Sequence, residues 1–577
     1  MIARYNKQLL ILILGAIVLL PFLGSTHLFD WDEINFAESS REMMLTGNYF
    51  QNQINFEPFW EKPPFFFWVQ SLSMLVFGQN EFGARFPNVL FGLITLIFVF
   101  NIGKRLYNER FGIMWVLLYV GTILPHMYIR SGIIDPIFNL FIFASVYYFV
   151  RTIEDSNHKK SRKYAAVSGL FIGLAIITKG PVGLLILLLS VSIYWILNRF
   201  RPLASLQNLL LFISVAFLTS ILWFGYETIQ NGPWFLIEFV GYQIELLTGA
   251  EGGAAAGHQQ PFYYHFVVVL FGCFPISILA LGNVFGSKYL EDKFHFKRWM
   301  NILFWVVMIL FSIVSTKIIH YSSMVYLPLS FLATYFLFQV DRGREKVRSW
   351  MRILVLLFGI LYALVLVLIP VIAKKKDDWL IPLVQDPFVQ SGLSMDVNWS
   401  GFEITVGILF GIVMLMAASQ LFKNNVFRYT MVNAVGVAIF MLGSSIWILP
   451  KIEQYVQGPA VEFCESLQNR DVYIWPIGHK SYTHYFYAKT QPLDENSGLA
   501  KQKATFLSSI SKEKSNQLNG AERLEYITSI QDWLLHGAID KPAYFLLKVN
   551  NYSPEQFPEL DVVMNNGGFI GLKRTPE

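Results

Sequence analysis

The sequence predicts a polytopic α-helical membrane protein of about thirteen transmembrane helices, followed by a small α/β domain. Of its 577 residues, 54% are hydrophobic and 15% are charged, whereas soluble proteins carry about 25% charged residues. The mean hydropathy is +0.45. Apolar stretches of about 20 residues, the length that crosses a bilayer, recur through the first 450 residues, and a polar stretch follows.

The apolar segments are long enough to span about 30 Å of hydrocarbon. The first has a basic start but no small-residue cleavage site after it, so we interpret it as a retained helix rather than a signal peptide. The segments are 8–28, 86–103, 112–130, 133–151, 164–178, 180–198, 207–226, 263–285, 299–315, 318–339, 351–373, 401–422 and 428–449.

The loops between these segments alternate in charge. Loops rich in Lys and Arg all fall on one side, which the positive-inside rule assigns to the cytoplasm together with the N-terminus. We therefore predict a multi-pass protein of the cytoplasmic (inner) membrane whose long first loop, 29–85, faces outward. The basic loops are 104–110, 151–163, 199–201, 288–298, 341–352 and 423–428.

The polar tail predicts a second, extracytoplasmic domain. About 125 residues suffice for a small α/β domain, so we divide the chain into a membrane domain, 1–450, and a soluble domain, 451–577. Short apolar runs in the tail predict strands, and two amphipathic runs predict helices. The strands are expected at Asp471–Ile477, Tyr544–Val549 and Phe569–Lys573, and the helices at 461–468 and 525–535.

Composition and missing motifs exclude several function classes. The net charge of +5 is too small for a basic nucleic-acid surface, so no nucleic-acid partner is expected. The chain has no Gly-rich phosphate loop with a Walker lysine. A phosphate-bearing substrate is therefore expected in the membrane rather than as a soluble nucleotide. Cys273 and Cys464 lie in an apolar span and in the tail, so a disulfide between them is not expected.

The first outward loop carries the strongest functional signal. Asp32 and Glu33 are adjacent carboxylates directly after the first span, where unpaired charges are costly and tend to be functional. A charged segment that includes Arg41 follows, and then the turn Phe59-Trp60-Glu61-Lys62-Pro63-Pro64. Acid, base and aromatic side chains thus share one membrane surface, which is the composition of a reaction site.

Further ionisable residues fall on the same predicted face. Structural alternatives stay open: Arg130 and Asp135 could close a turn as an ion pair, and the lysines could extend to the interface. His258 could be a polar residue with its hydrogen bonds satisfied, and Arg41 could be a helix-surface charge. Their joint occurrence on one face favours function. They are Arg130, Asp135, Lys179, His258, Lys317, His320 and Tyr321.

These side chains suit group transfer from a phosphate-bearing lipid. Lysine and arginine can stabilise charge that develops on a leaving phosphate. A carboxylate can take the proton of an attacking hydroxyl. Aromatic side chains such as Tyr263 and Tyr264 can stack on a sugar ring or flank a lipid.

At this point the chain resembles the polyprenyl-phosphate-sugar-dependent glycosyltransferases of GT-C fold. It is similar above all to the lipid A aminoarabinose transferases, and next to bacterial relatives of the protein O-mannosyltransferases. The motifs that carry the resemblance are Asp32-Glu33, Ala37-Glu38, Arg41-Glu42-Met43, Glu61-Lys62-Pro63-Pro64, Phe77-Gly78 and Arg85-Phe86-Pro87, with Thr178-Lys179-Gly180-Pro181 and Lys317–Tyr321 in support.

The resemblance implies a role for each candidate. Asp32 would be the catalytic base, with Glu33 beside it and Asp135 as a second acid. Lys62 would contact the donor phosphate. Glu61 and His258 would share a divalent metal ion, although two ligands are fewer than a structural zinc site has; no other cofactor is implied. The remaining substrate-binding candidates are Arg41, Arg130, Lys179, Lys317, His320 and Tyr321.

We therefore expect an inverting glycosyltransferase embedded among membrane lipids. It would move a sugar from a polyprenyl-phosphate carrier to a glycolipid, such as lipid A, or to a protein. The alternative of another class is a transporter or flippase of a lipid-linked glycan, for which charges near mid-span would be expected. A third interpretation, a scaffold whose tail binds cell-wall glycan, leaves the motifs of the first loop unexplained.

Overall fold

The computed structural model describes residues 2–59, 61–248, 260–284, 292–513, 518 and 520–576. Helices dominate up to residue 456. The first eleven are α1 (Ile2–Leu19), α2 (Asp32–Thr46), α3 (Phe65–Phe77), α4 (Glu81–Leu106), α5 (Glu109–Val120), α6 (Ile123–Ile129), α7 (Asp135–Glu154), α8 (His158–Lys179), α9 (Val182–Leu197), α10 (Leu206–Asn231) and α11 (Trp234–Thr248).

Ten further helices complete this part of the chain. A 3₁₀ helix, Ile319–Val325, leads directly into α15, and a π-helical turn, Ser444–Ile448, precedes α21. The helices are α12 (Tyr264–Gly272), α13 (Ile276–Val284), α14 (Phe296–Ile313), α15 (Tyr326–Asp341), α16 (Ser349–Lys374), α17 (Lys376–Trp379), α18 (Pro387–Leu393), α19 (Ile404–Phe422), α20 (Val426–Gly443) and α21 (Leu449–Val456).

The helices imply a multi-pass membrane protein, as predicted. Within the described ranges, 8 helices are long and apolar enough to cross a bilayer, or up to 10 if two bent pairs each count as one span. The bent pairs are α5 with α6, at 78°, and α12 with α13, at 120°. Every one of the thirteen predicted segments overlaps a helix, although α1 and α9 are shorter than a full span.

Burial separates a central helix from helices that face lipid. The most apolar window of Ile319–Asp341 is 100% buried, whereas the windows of α10 and α16 are 17% and 22% buried. Exposed apolar helices of this kind are stable only where lipid covers them. Large aromatic side chains fill the space around the central helix: the ring of Phe331 lies 5.1 Å from Trp115 and 5.0 Å from Phe296.

The long first loop, 29–85, is folded rather than open. It contains α2 and the apolar helix α3, with a short hairpin of β1 (Gln53–Ile54) and β2 (Glu57–Pro58) between them. Although its sequence is polar, α2 is buried at every residue from 33 to 43. The expectation that Arg41 is a helix-surface charge is therefore wrong, because its side chain is 1% exposed.

The tail forms a four-stranded mixed sheet with helices around it. The strand order is β3-β4-β6-β5, and only β3 and β4 run parallel. The three predicted strands are confirmed; the fourth, β5, is an exposed strand with little apolar patterning. The elements are α22 (Gly458–Ser466), β3 (Tyr473–Ile477), α23 (Thr483–Tyr487), α24 (Gly498–Ser509), α25 (Gly520–His536), β4 (Ala543–Lys548), β5 (Asp561–Asn566) and β6 (Phe569–Arg574).

The tail packs directly against the long first loop. Cys464 and Tyr487 share one buried apolar cluster with Leu28, Ile34 and Met74. Polar contacts join the same surfaces, because the Tyr487 hydroxyl accepts a hydrogen bond from the Leu28 N–H at 2.6 Å. The folded loop therefore lies between the membrane helices and the tail.

Candidate active site

Five polar side chains from five separate segments come together at one end of the helices: Asp32, Lys62, Asp135, Lys179 and His320. The Lys179 ammonium donates to Asp135 Oδ1 at 2.7 Å. The His320 Nε2 atom lies 3.5 Å from Asp32 Oδ2. His320 also interacts electrostatically with Asp135 and with both lysines. We call these five residues the carboxylate–lysine cluster.

Helix ends place the charges of the cluster. Asp32 and Asp135 are the first residues of α2 and α7, and Lys179 is the last residue of α8. Carboxylates at N-termini and lysines at C-termini are stabilised by the free N–H and C=O groups of the helix. Gly180 then turns the chain away with φ +103°, a conformation that favours glycine.

The Asp135–Lys179 pair is buried and well supported. The two side chains are 6% and 14% exposed. The Ser323 hydroxyl donates to Asp135 Oδ1 at 3.3 Å, and Asn139 Nδ2 donates in turn to Ser323 at 2.8 Å. Because a buried ion pair needs such additional hydrogen bonds to offset desolvation, this network fixes the position of the Lys179 ammonium.

Lys62 is the cation of the cluster that has no carboxylate partner within ion-pair distance in the described part of the chain. Its ammonium lies 3.4 Å from the Tyr242 hydroxyl and 4.8 Å from the centre of that ring. Asn52 Nδ2 donates to the Lys62 carbonyl at 2.5 Å and thereby holds the turn. Burial lowers the pKa of Lys62 from its ordinary value, although Glu61 and Asp32 act in the opposite direction.

The other two candidates in the 317–321 stretch, Tyr321 and Lys317, differ in their distance from the cluster. The ring of Tyr321 lies 5.5 Å from the Lys179 ammonium, in reach of a cation–π contact. Lys317 is 7% exposed and donates to the Val314 carbonyl at 2.8 Å instead. His265 interacts electrostatically with both Lys317 and His320, so Lys317 lies at the edge of the site.

Glu33 points away from the cluster although Asp32 precedes it. Both of its oxygens are held by Arg85, at 2.9 and 2.8 Å, and by the backbone N–H groups of Gly132 and Phe29. Burial raises the pKa of Glu33, but Arg85 and the N–H donors outweigh it and leave the pKa below its usual value. The structure thus gives Glu33 a full set of structural partners.

Arg41 is likewise outside the cluster. It forms a two-pronged ion pair with Glu38 at 2.7 and 2.6 Å, and it donates to the Thr490 carbonyl of the tail at 2.7 Å. Its guanidinium therefore joins the first loop to the tail.

Arg130 also binds protein groups. It donates to the Leu19 carbonyl at 3.0 Å and to the Pro21 carbonyl at 2.8 Å. These carbonyls have no helical partner because α1 ends at Leu19. The structural alternative of an Arg130–Asp135 ion pair is therefore wrong, since Asp135 pairs with Lys179.

The predicted metal site is only partly within the described residues. Glu61 shares a hydrogen bond with the Tyr242 hydroxyl, and His258 lies outside the described residues. In the part of the chain that the structure describes, no three His, Cys, Asp or Glu side chains converge as a metal site would require. We therefore derive no step through a metal ion.

Two residues that contact the cluster, Tyr242 and Ser323, are not predicted from the sequence. Tyr242 contacts Lys62 and Glu61 from α11, and Ser323 supports Asp135 from the 3₁₀ helix. Tyr242 stands in an apolar helix and Ser323 among small and apolar residues, so neither carries a charge pattern that could have revealed it.

Comparisons with known proteins agree with this architecture. The family described as Dolichyl-phosphate-mannose-protein mannosyltransferase matches residues 61–225, a stretch that contains Lys62, Asp135 and Lys179. Two proteins named undecaprenyl phosphate-alpha-4-amino-4-deoxy-L-arabinose arabinosyl transferase are similar. The one from Wigglesworthia glossinidia brevipalpis is 26% identical over 57% of this chain and 58% of its own length. The one from Pectobacterium carotovorum subsp. carotovorum is 27% identical over 69% and 70%.

Solved structures extend the likeness to nearly the whole chain. The crystal structure of ArnT from Cupriavidus metallidurans bound to undecaprenyl phosphate superposes with a TM-score of 0.73 and 18% identity, covering 98% of each chain. Its apo structure gives a TM-score of 0.72 and 17% identity, covering 99% of this chain and 98% of the other. The chain therefore has the GT-C fold that the sequence resemblance implied.

Proposed function

We propose that this chain is an integral-membrane glycosyltransferase that moves a sugar from a polyprenyl-phosphate carrier to an acceptor. One observation carries the proposal: Lys62, a cation without a carboxylate partner in the described residues, lies in one cluster with Asp32 and Asp135. The printed names of the similar proteins support it, because they transfer a sugar from undecaprenyl phosphate. A similar structure holds undecaprenyl phosphate itself.

The donor phosphate would bind to Lys62. An ammonium that carries no carboxylate can meet a phosphate with a charge-assisted hydrogen bond. Lys179 also carries positive charge near the site, but the ion pair with Asp135 offsets that charge. As the sugar leaves, charge develops on the phosphate oxygen, and Lys62 stabilises it most strongly in the transition state.

Asp32 would accept the proton of the acceptor. Its side chain is 32% exposed, so an acceptor can reach it, and His320 lies 3.5 Å away to orient it. The acceptor O–H gives its proton to Asp32 as its oxygen bonds to the anomeric carbon. The bond from that carbon to the phosphate oxygen breaks in the same step, the polyprenyl phosphate departs, and the configuration inverts.

The finer topology belongs to the same proposal. We infer thirteen spans, a cytoplasmic N-terminus, and a membrane domain, 1–450, with an extracytoplasmic domain, 451–577. The contact between the tail and the first loop supports placing both on one side of the membrane. The basic loops 104–110 and 341–352 meet at the opposite end, where Arg110 pairs with Asp341.

A glycolipid is the acceptor that we favour, as in lipid A modification. The cluster lies at helix ends, where a membrane-borne hydroxyl or phosphate can approach beside a membrane-borne donor. A transporter of lipid-linked glycan would instead place charges near the middle of broken helices. The cluster uses the termini of α2, α7 and α8, which suits chemistry on one face.

Transfer by the purified full-length protein in proteoliposomes tests the proposal. The donor is undecaprenyl-phosphate-linked 4-amino-4-deoxy-L-arabinose and the acceptor is lipid A, with mass spectrometry of the product as readout. Asp32→Asn should lose transfer by at least about 100-fold, because general-base catalysis contributes 10²–10⁴-fold. Asp378→Asn, at an exposed carboxylate on α17, is the control. Equal activity of the two variants would refute the role of Asp32.

A further inference from the structure

A loop of the tail lies against the residues that lead into α2. The carboxylate of Asp30 accepts a hydrogen bond from the Ser481 hydroxyl at 2.7 Å and one from the Tyr482 N–H at 3.5 Å. Asp30 is two residues from Asp32 in sequence. These hydrogen bonds therefore hold the loop 478–482 beside the proposed base.

The loop and α2 together present one cation over two aromatic rings. The Lys480 ammonium lies 4.7 Å from the centre of the Trp31 ring and 5.6 Å from that of Tyr482. The two rings meet edge to face at 5.1 Å. Trp31 is 43% exposed although it is large and apolar. We call Trp31, Lys480 and Tyr482 the aromatic–lysine patch.

Lys480 has no carboxylate partner among the residues that the structure describes. Its ammonium has no salt bridge there, whereas two other tail lysines do, Lys503 with Glu57 at 3.0 Å and Lys541 with Asp471 at 2.5 Å. The nearby acid, Asp30, is occupied by Ser481 and Tyr482. The ammonium is therefore available to an anion from outside.

The patch adjoins the carboxylate–lysine cluster. Tyr482 interacts electrostatically with Asp32 and Glu61 as well as with Asp30. Trp31 precedes Asp32 directly. A molecule that covers the Trp31 ring would therefore lie beside the start of α2, which carries the proposed base.

We propose that the aromatic–lysine patch binds the phosphate-bearing sugar headgroup of the acceptor glycolipid. This inference rests on the proposed function and adds the residues that select the acceptor. A sugar ring stacks on an exposed tryptophan, and an unpaired ammonium held over aromatic rings binds a phosphate. Charge complementarity favours a phosphorylated lipid over a neutral protein hydroxyl, because Lys480 would otherwise stay without an anion.

The two substrates would then be held by different parts of the chain. Lys62, from the first loop, meets the phosphate of the donor, while Lys480, from the tail, meets the phosphate of the acceptor. Asp32 interacts electrostatically with Lys62 and directly follows Trp31 of the aromatic–lysine patch. The tail is thus part of the acceptor site and not only a cover for the first loop.

Native mass spectrometry of the full-length protein in detergent separates the two binding events. The probes are diphosphoryl lipid A, the same lipid with both phosphates removed, and undecaprenyl phosphate. Wild type should retain diphosphoryl lipid A about tenfold better than the dephosphorylated form, since one charge-assisted hydrogen bond is worth about that factor. Lys480→Glu should abolish this preference, and Lys480→Arg should keep it.

Two controls accompany this experiment: a matched charge change elsewhere in the tail, and the binding of undecaprenyl phosphate. Lys501→Glu makes the same charge change at an exposed lysine of α24 and should behave like wild type. Unchanged retention of undecaprenyl phosphate by Lys480→Glu shows that the variant is folded. If Lys480→Glu and Lys501→Glu retain lipid A equally, the inference is wrong while the proposed function stands. If wild type retains no undecaprenyl phosphate, the proposed function itself is contradicted.

Discussion

Glu33 and Arg85 form a buried two-pronged ion pair, with nitrogen–oxygen distances of 2.9 and 2.8 Å. Arg85 also donates to the carbonyls of Leu23, Thr26 and His27, so it gathers the chain between α1 and α2 around the carboxylate. The pair thereby fixes where α2 begins and hence where Asp32 stands. Asp32 and Glu33 are thus adjacent in sequence but face different partners, His320 and Arg85.

Replacing Glu33 by Gln should therefore cost stability rather than chemistry. Removing one partner of a buried pair costs about 3–5 kcal/mol, because the other charge is left uncompensated. Asp32→Asn, at a partly exposed residue, should change thermal stability little. Thermal unfolding in detergent checks this contrast; equal losses of stability in the two variants would contradict the division of roles.

The same pair predicts a pH dependence at the acid side. The folded-state pKa of Glu33 is lowered, so its contribution to stability is fully present above the unfolded value of about 4.3 and is lost as the pH falls through the folded-state pKa. Thermal stability of wild type should thus decline below about pH 5. Glu33→Gln should decline less over that range; an identical slope would show that other carboxylates cause the loss.

Asp135 and Lys179 should be coupled. Lys179→Met alone leaves a buried carboxylate unpaired, and Asp135→Asn alone leaves a buried ammonium unpaired, so each should destabilise the protein. The double variant should recover about 0.5–3 kcal/mol of the summed loss without recovering transfer. A double-mutant cycle of thermal stabilities measures this energy. Additive losses would mean that the two side chains do not interact.

Lys62→Ala should weaken the use of the donor far more than the use of the acceptor. Losing a hydrogen bond to a charged group costs about 1.5–3 kcal/mol, or roughly 10–100-fold in the kcat/KM for the donor. Lys62→Arg should retain part of the activity. Lys375→Ala, at an exposed lysine that contacts the Trp379 ring, is the matched control. Steady-state kinetics with each substrate varied in turn would contradict the phosphate role if donor dependence stayed unchanged.

Glu42 should stabilise the β1–β2 hairpin that precedes Lys62. Its oxygens accept the N–H groups of Asn55 and Phe56 at 2.6 and 2.7 Å, where both residues adopt positive φ. Burial and the neighbouring Glu38 raise the pKa of Glu42 well above its usual value. Ionisation of the buried Glu42 beside Glu38 therefore destabilises the fold, and this cost is absent below the unfolded pKa and increases as the pH rises toward the folded-state pKa.

Hydrogen exchange of residues 53–62 tests this dependence. Exchange in wild type should increase with pH beyond the intrinsic chemical rate, whereas Glu42→Gln, which cannot ionise, should remove the excess. Glu42→Ala should expose the segment at every pH, because it deletes both hydrogen bonds. A wild-type profile that follows the intrinsic rate alone would contradict the account.

The sequence predicts the individual candidate residues better than it predicts the residues that they contact. Asp32, Lys62, Asp135, Lys179 and His320 were all singled out from charge at predicted helix ends, and the structure brings them together. Their identity as one cluster depends on contacts between distant segments, such as the 44 residues between Lys179 and Asp135, which periodicity does not encode. For the same reason the sequence could not distinguish a site residue from a structural one.

The buried polar helix shows this limit most clearly. The sequence of α2 is polar enough to predict a surface helix, yet its charged side chains have partners inside the protein. Arg41 pairs with Glu38 of the same helix and also donates to Thr490 of the tail. Glu33 pairs with Arg85. The hydrophobic pattern of a sequence predicts that a charged residue is exposed, but this prediction fails where the fold supplies a buried ion-pair partner. The apolar runs of the tail predict the buried strands β4 and β6 and the partly buried β3, but not the exposed strand β5.

The most direct test of the central claim is mass spectrometry of glycolipids and glycoproteins from cells that lack this protein, complemented with wild type or with Asp32→Asn. The account predicts that wild type restores one sugar-sized mass on a phosphorylated glycolipid and that Asp32→Asn, present at equal abundance in the membrane, does not. Identical profiles from the two versions would contradict Asp32 as the base and leave the transporter as the better explanation.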